Sequence, residues 1–94
     1  MSQFMDALRD KIRVKQYSFK TEKAYLDWAE RYIRFHQLRH PKEMGKVEIE
    51  HFLTHLAKSG ISANTQNQAL AAILFMYREM LSRSFENIRA VRAK

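Results

Sequence analysis

Apolar residues recur along most of this chain at spacings of three and four, the period of a helix that buries one face. From about Gln3 to Val14, Phe4, Met5, Leu8 and Ile12 form one stripe, with Arg9, Lys11, Arg13 and Lys15 elsewhere. A second stripe, Tyr25, Trp28, Ala29, Tyr32 and Phe35, lies between a Ser18 N-cap and about His36. The third helix is expected to begin at Gly45, with Glu48 reaching back to the cap, Met44 packing on Ile49 as a staple, and Ile49, Phe52, Leu53 and Leu56 facing inward. Gly60 is placed to end it in a left-handed cap. A fourth helix runs from Ser62 to about Ser82 and presents Leu70, Ile73, Leu74, Tyr77 and Leu81 to the core. Phe85–Ile88 is expected to add a short helical turn. Breakers at Tyr17-Ser18, Gln37 to Gly45 and Lys58 to Ser62 separate the four segments.

Composition supports an all-α fold and narrows the partners. Two glycines and one proline among 94 residues leave the chain rich in helix formers. This length suits one domain that folds without metal or disulfide. The absence of cysteine excludes disulfides and thiolate zinc sites. The opening Met1-Ser2-Gln3-Phe4-Met5-Asp6 lacks the apolar run of a signal peptide or membrane span, so a cytoplasmic location is expected. A net charge of +7 favours a polyanion, whether nucleic acid, an acidic membrane surface or an acidic protein.

The positive charge is uneven. Arg9, Lys11, Arg13, Lys15, Lys20 and Lys23 face only Asp10 and Glu22 within one stretch, whereas the third helix balances Lys46 and Lys58 against Glu48 and Glu50. Two helix starts gather further polar groups where free backbone N–H groups and the helix dipole attract anions. At the first, Ser18, Lys20, Thr21 and Lys23 occupy the opening turns. At the second, Ser62 is followed by Asn64, Thr65, Asn67 and Gln68, whose amides can read adenine or bridge to phosphate. Capping alone accounts well for the two serines. His51 and His55 stand four apart, but the residues between them lack a zinc-protease glutamate and no third ligand is evident. No catalytic triad, glycine-rich phosphate loop or carboxylate pair can be recognised, so neither catalysis nor a cofactor, metal or small-molecule substrate is expected.

Tyr17-Ser18-Phe19-Lys20-Thr21-Glu22-Lys23-Ala24-Tyr25, Trp28, Phe35-His36, His40-Pro41 and Phe52-Leu53-Thr54-His55-Leu56 together carry a resemblance. With Ser62-Ala63-Asn64-Thr65-Gln66-Asn67-Gln68-Ala69-Leu70 and Tyr77-Arg78-Glu79, the chain resembles the N-terminal SAM-like core-binding domain of tyrosine recombinases. The His-Pro loop and the Thr-Gln-Asn-Gln-Ala-Leu run point to the integron integrase branch. The resemblance implies a four-helix orthogonal bundle that covers one face of DNA, while a separate C-terminal domain supplies the nucleophile. None of Tyr17, Tyr25, Tyr32 or Tyr77 is therefore assigned that role. It implies a parent that is tetrameric on DNA, and DNA contact at the openings of the second and fourth helices. Where relatives often carry a Leu-Pro turn after the fourth helix, this chain has Arg83-Ser84-Phe85.

The resulting expectation is a monomeric, non-catalytic DNA-binding unit over residues 1–88, with 89–94 opening a linker. Its expected contacts are Arg13, Lys15, Lys20, Thr21, Lys23, Ser62, Asn64, Thr65, Asn67 and Gln68. A helical protein–protein module and a membrane-surface helix over residues 1–15 are the competing readings.

Overall fold

The computed structural model describes residues 2–94; Met1, which opens the sequence-based reading of the N-terminal stretch, lies outside them. Four helices follow in order: α1 (Ser2–Val14), α2 (Phe19–Phe35), α3 (Lys46–Lys58) and α4 (Ala63–Leu81), with a single 3-10 turn at Pro41–Glu43. The described residues contain no strand, and the all-α expectation holds. No described helix is long and apolar enough to cross a membrane.

Each helix end has a local cause. The Ser18 hydroxyl accepts the Thr21 N–H at 3.1 Å and starts α2. At its far end Gln37 and Leu38 both take left-handed backbone, and their N–H groups return to Arg34 and Ile33 as in a Schellman cap, with no glycine present. The chain then turns through His40, whose Nδ1 accepts the Lys42 N–H at 3.1 Å. Gly45 opens α3, where Glu48 Oε1 accepts its N–H at 2.7 Å, as the sequence indicates. A methyl group at Gly45 would stand 3.0 Å from the Arg83 guanidinium, so the position is close-packed. Gly60, at φ +89°, ends α3.

The core is aromatic and centres on α2 and α4. Leu8 and Ile12 of α1, Trp28, Ala29, Tyr32 and Ile33 of α2, Ile49, Phe52, Leu53 and Leu56 of α3, and Ala69, Ile73, Met76 and Tyr77 of α4 are all buried. The inward face of α4 is rotated from the sequence-based expectation. Leu70, Leu74 and Leu81 are only half-buried, while Ala69, Ala72, Ile73, Phe75, Met76 and Tyr77 form the buried face. Tyr25 and Phe35 are likewise half-buried, Tyr25 packing edge-on against Phe75 at 5.2 Å. Inside the core the Tyr32 and Tyr77 hydroxyls bond each other at 2.8 Å, which satisfies two polar groups no water reaches.

The segment after α4 is not helical, contrary to the short turn expected at Phe85–Ile88. Ser82 takes left-handed backbone at φ 51° and breaks the helix, and Asn87 does so again at φ 56°. Phe85 packs edge-on against Tyr77 at 5.0 Å, and Arg83 donates to the Met44 carbonyl at 2.7 Å. Residues 88–93 follow without regular secondary structure, and the N–H groups of Arg89, Val91 and Ala93 bond to side chains of α3 and α4 instead of to a helical turn.

Candidate nucleic-acid interface

The two polar helix starts are built alike. Ser18 caps α2 through Thr21, and its hydroxyl donates to Thr21 Oγ1 at 3.0 Å. Ser62 caps α4 through Thr65 with a 3.1 Å N–H contact, and it donates to Thr65 Oγ1 at 2.9 Å. Both threonine hydroxyls thus accept a hydrogen bond within the caps. They differ in charge: Glu22 sits in the first turn of α2, whereas the first turn of α4 holds no acid. The positive end of α4 is therefore the less neutralised.

α2 and α4 run in the same sense, since Tyr32 meets Tyr77 while earlier residues of both helices share one cleft. That cleft, about 330 Å³, is lined by Lys20, Thr21, Ala24, Tyr25 and Trp28 of α2 and by Gln68 and Ala71 of α4. Its lining combines apolar Ala24, Tyr25, Trp28 and Ala71 with polar Lys20, Thr21 and Gln68. Arg31 lies one helical turn beyond Trp28 with its guanidinium 4.4 Å above the indole, which extends the cationic edge along α2. Sequence reasoning missed Arg31, although its spacing from Trp28 and Ala24 places it on the same stripe.

The basic edge is less free than the sequence suggests. Arg13 holds Glu22 with two contacts of 2.9 and 3.3 Å, bridging α1 to α2. This hydrogen bond holds the Glu22 carboxyl below its ordinary range, against the opposing effect of burial. Lys15 reaches Glu79 of α4 at 3.6 Å, and Lys23 reaches Asp27 at 3.6 Å. Lys11 and Lys20 form no ion pair among the described residues, and of the two only Lys20 lines the cleft.

The Asn64–Gln68 run divides among different surroundings. Asn64 is exposed and Gln68 lines the cleft, whereas Asn67 lies in a separate crevice with Leu53, Leu70, Ile88, Ala90 and Arg92. Gln66, between them, is buried at 4% exposure and bonds the chain's own C-terminal segment. The reason is periodicity: three consecutive helical residues point in directions about 100° apart. His55 stacks on Phe35 at 4.7 Å, and no cluster of three metal-ligating side chains occurs among the described residues.

A family model described as phage integrase, N-terminal SAM-like domain, matches residues 4–87. Proteins described as integrase/recombinase from Escherichia coli and from Pseudomonas aeruginosa are each 47% identical over 78 residues, covering 82% of this chain. The chain spans 23% of the length of those relatives. The four helices agree with an all-helical domain, and the match over residues 4–87 shows that the chain belongs to the phage integrase N-terminal SAM-like domain family.

Proposed function

We propose that this chain is the DNA-clamping, core-binding unit of a site-specific tyrosine recombinase of the integron integrase type. The observation that carries the reading is the cleft where Lys20, without an ion pair among the described residues, and Thr21 in the capped first turn of α2 face Gln68 in the second turn of α4. Phosphates contact Lys20 and the free N–H groups of both opening turns, with Ser62, Asn64, Thr65 and Asn67 along the α4 edge. Arg13, Lys15 and Lys23 contribute through the general field, because their side chains are held by acids. Residues 1–88 form the binding unit and 89–94 open the connection to a catalytic domain, in a parent that assembles as a tetramer on DNA in the cytoplasm.

The unit itself performs no strand cleavage. Burial raises the Tyr32 and Tyr77 phenols above their ordinary range, which is the wrong direction for a nucleophile. Tyr17 and Tyr25 pack on each other and on Phe75.

Fluorescence anisotropy with a labelled duplex, titrated from about 50 to 200 mM salt, tests the reading. Four to six neutralised phosphates give a log–log slope of about −4 to −5. Lys20→Gln should reduce that slope by about 0.9, while Lys46→Gln on α3 leaves it unchanged. A flat salt response, or equal effects at the two lysines, refutes the placement. A second reading, a protein–protein module, is favoured by Phe19 and Val14, exposed at 76% and 79%. Sedimentation of the free chain at low salt separates the two, since self-association without DNA supports the second.

A further inference from the structure

The segment after α4 is held by an unusual row of partners. The N–H of Arg89 donates to Glu50 Oε2 at 2.7 Å, that of Val91 to Thr54 Oγ1 at 3.1 Å, and that of Ala93 to Gln66 Oε1 at 3.1 Å. Alternate N–H groups bond along one edge, as in a β-strand, but the facing edge consists of side chains from two helices. Gln66 is central to it. Its amide nitrogen donates to Leu53 O of α3 at 3.0 Å and to Val91 O at 2.8 Å, while its oxygen takes the Ala93 N–H. A carboxamide offers donor and acceptor much as a peptide group does, so it can join two residues of a non-helical segment. Glutamate would lack the donor, and leucine would leave two carbonyls without it.

Fixing the backbone also fixes which side chains emerge beside α4. Ala93 is buried at 9% exposure, whereas Arg92 is exposed and shares a crevice with Asn67 on the second turn of α4. Arg92 joins no ion pair among the described residues. The adjoining first turn of α4 carries no acid either.

We infer that Gln66 is a positioning residue: it latches residues 89–93 against α3 and α4 so that Arg92 stands beside Asn67 and adds a phosphate contact to the α4 edge. The phosphate half of this inference rests on the DNA-binding reading above; the latch does not.

Amide exchange of the free chain tests the latch without DNA. The Val91 and Ala93 amides should be protected in the wild type and exchange at least tenfold faster in Gln66→Leu, with α2 amides unchanged. If Gln66→Leu fails to fold, Thr54→Val releases the Val91 amide from the opposite side of the groove. Free exchange of both amides in the wild type overturns the latch. In duplex titrations Arg92→Gln should weaken binding about threefold and reduce the salt slope by about 0.9 in the wild type. In the Gln66→Leu background it should do neither. Equal effects of Arg92→Gln in both backgrounds overturn the positioning role. Protected amides with no DNA affinity at all would uphold the latch and refute the DNA reading together with the Arg92 contact.

Discussion

The bond between the Tyr32 and Tyr77 hydroxyls joins the two helices that wall the cleft, and removing it has a calculable cost. Both residues are fully buried and their oxygens stand 2.8 Å apart. Tyr77→Phe leaves the Tyr32 hydroxyl in the core without its partner. An orphaned buried hydroxyl costs about 1–3 kcal/mol, whereas removing both partners together can be nearly neutral. For a domain of this size, about 1 kcal/mol corresponds to about 4–8 °C in Tm. Each single phenylalanine variant should therefore lose about 4 °C or more, and the Tyr32→Phe/Tyr77→Phe double variant should be more stable than the sum of the singles implies. Urea unfolding followed by circular dichroism gives the four stabilities of the cycle. A coupling of at least about 0.5 kcal/mol is expected, and additivity within about 0.3 kcal/mol refutes the claim that the hydroxyls support each other.

The other expectations concern the ends of helices and one buried imidazole. Gly60→Ala should destabilise by about 1 kcal/mol in urea unfolding: at φ +89° the backbone is strained for alanine even though nothing lies within 4 Å of the added methyl. Ser62→Ala removes the acceptor of the Thr65 N–H and should cost about 1 kcal/mol; a change below about 0.3 kcal/mol would mean solvent replaces the cap fully. Burial holds His36 below its ordinary value; Arg39 and His51 act in the same direction, and Glu48 opposes them through its carbonyl, 2.9 Å from Nε2, and its charge. The unfolded chain takes up that proton as pH falls through about 6.5, while the native one does so only at lower pH. The stability His36 contributes is thus complete above this range and drains below it, so Tm should drop from pH 7.5 to 5.5 and drop less in His36→Gln.

Much of the fold is legible because it follows from local rules. The Ser18 and Ser62 caps, the Glu48 return to Gly45 and the left-handed Gly60 each depend on residues a few positions apart. The centre of the α4 face was harder to locate, since it includes the small, buried Ala69 and Ala72, and hydrophobic spacing weights the larger leucines instead. Residues Phe85–Ile88 look helical in isolation, but the turn at Ser82 and the side chains waiting on α3 and α4 override that preference. At the candidate site, clustering of cations along α1 and α2 was visible in the sequence. The Lys23–Asp27 pair is a local contact one helical turn apart, whereas the capture of Arg13 by Glu22 depends on the turn between α1 and α2, and that of Lys15 by Glu79 joins residues far apart in sequence. Gln66 could not be distinguished from Gln68 by residue type, only by the face of the helix on which it falls.

Trp28 is the one tryptophan of the chain. It lines the cleft at 8% exposure, with Arg31 above its ring and the buried Phe52 ring edge-on to it, 6.4 Å between centroids. The molecule consequently carries its own fluorophore at the wall where ligand is proposed to arrive, and a ligand that draws the Arg31 guanidinium away changes the dipole nearest the indole. Emission from unlabelled protein then reports occupancy of that wall directly, and it stays silent for anything that settles elsewhere on the surface.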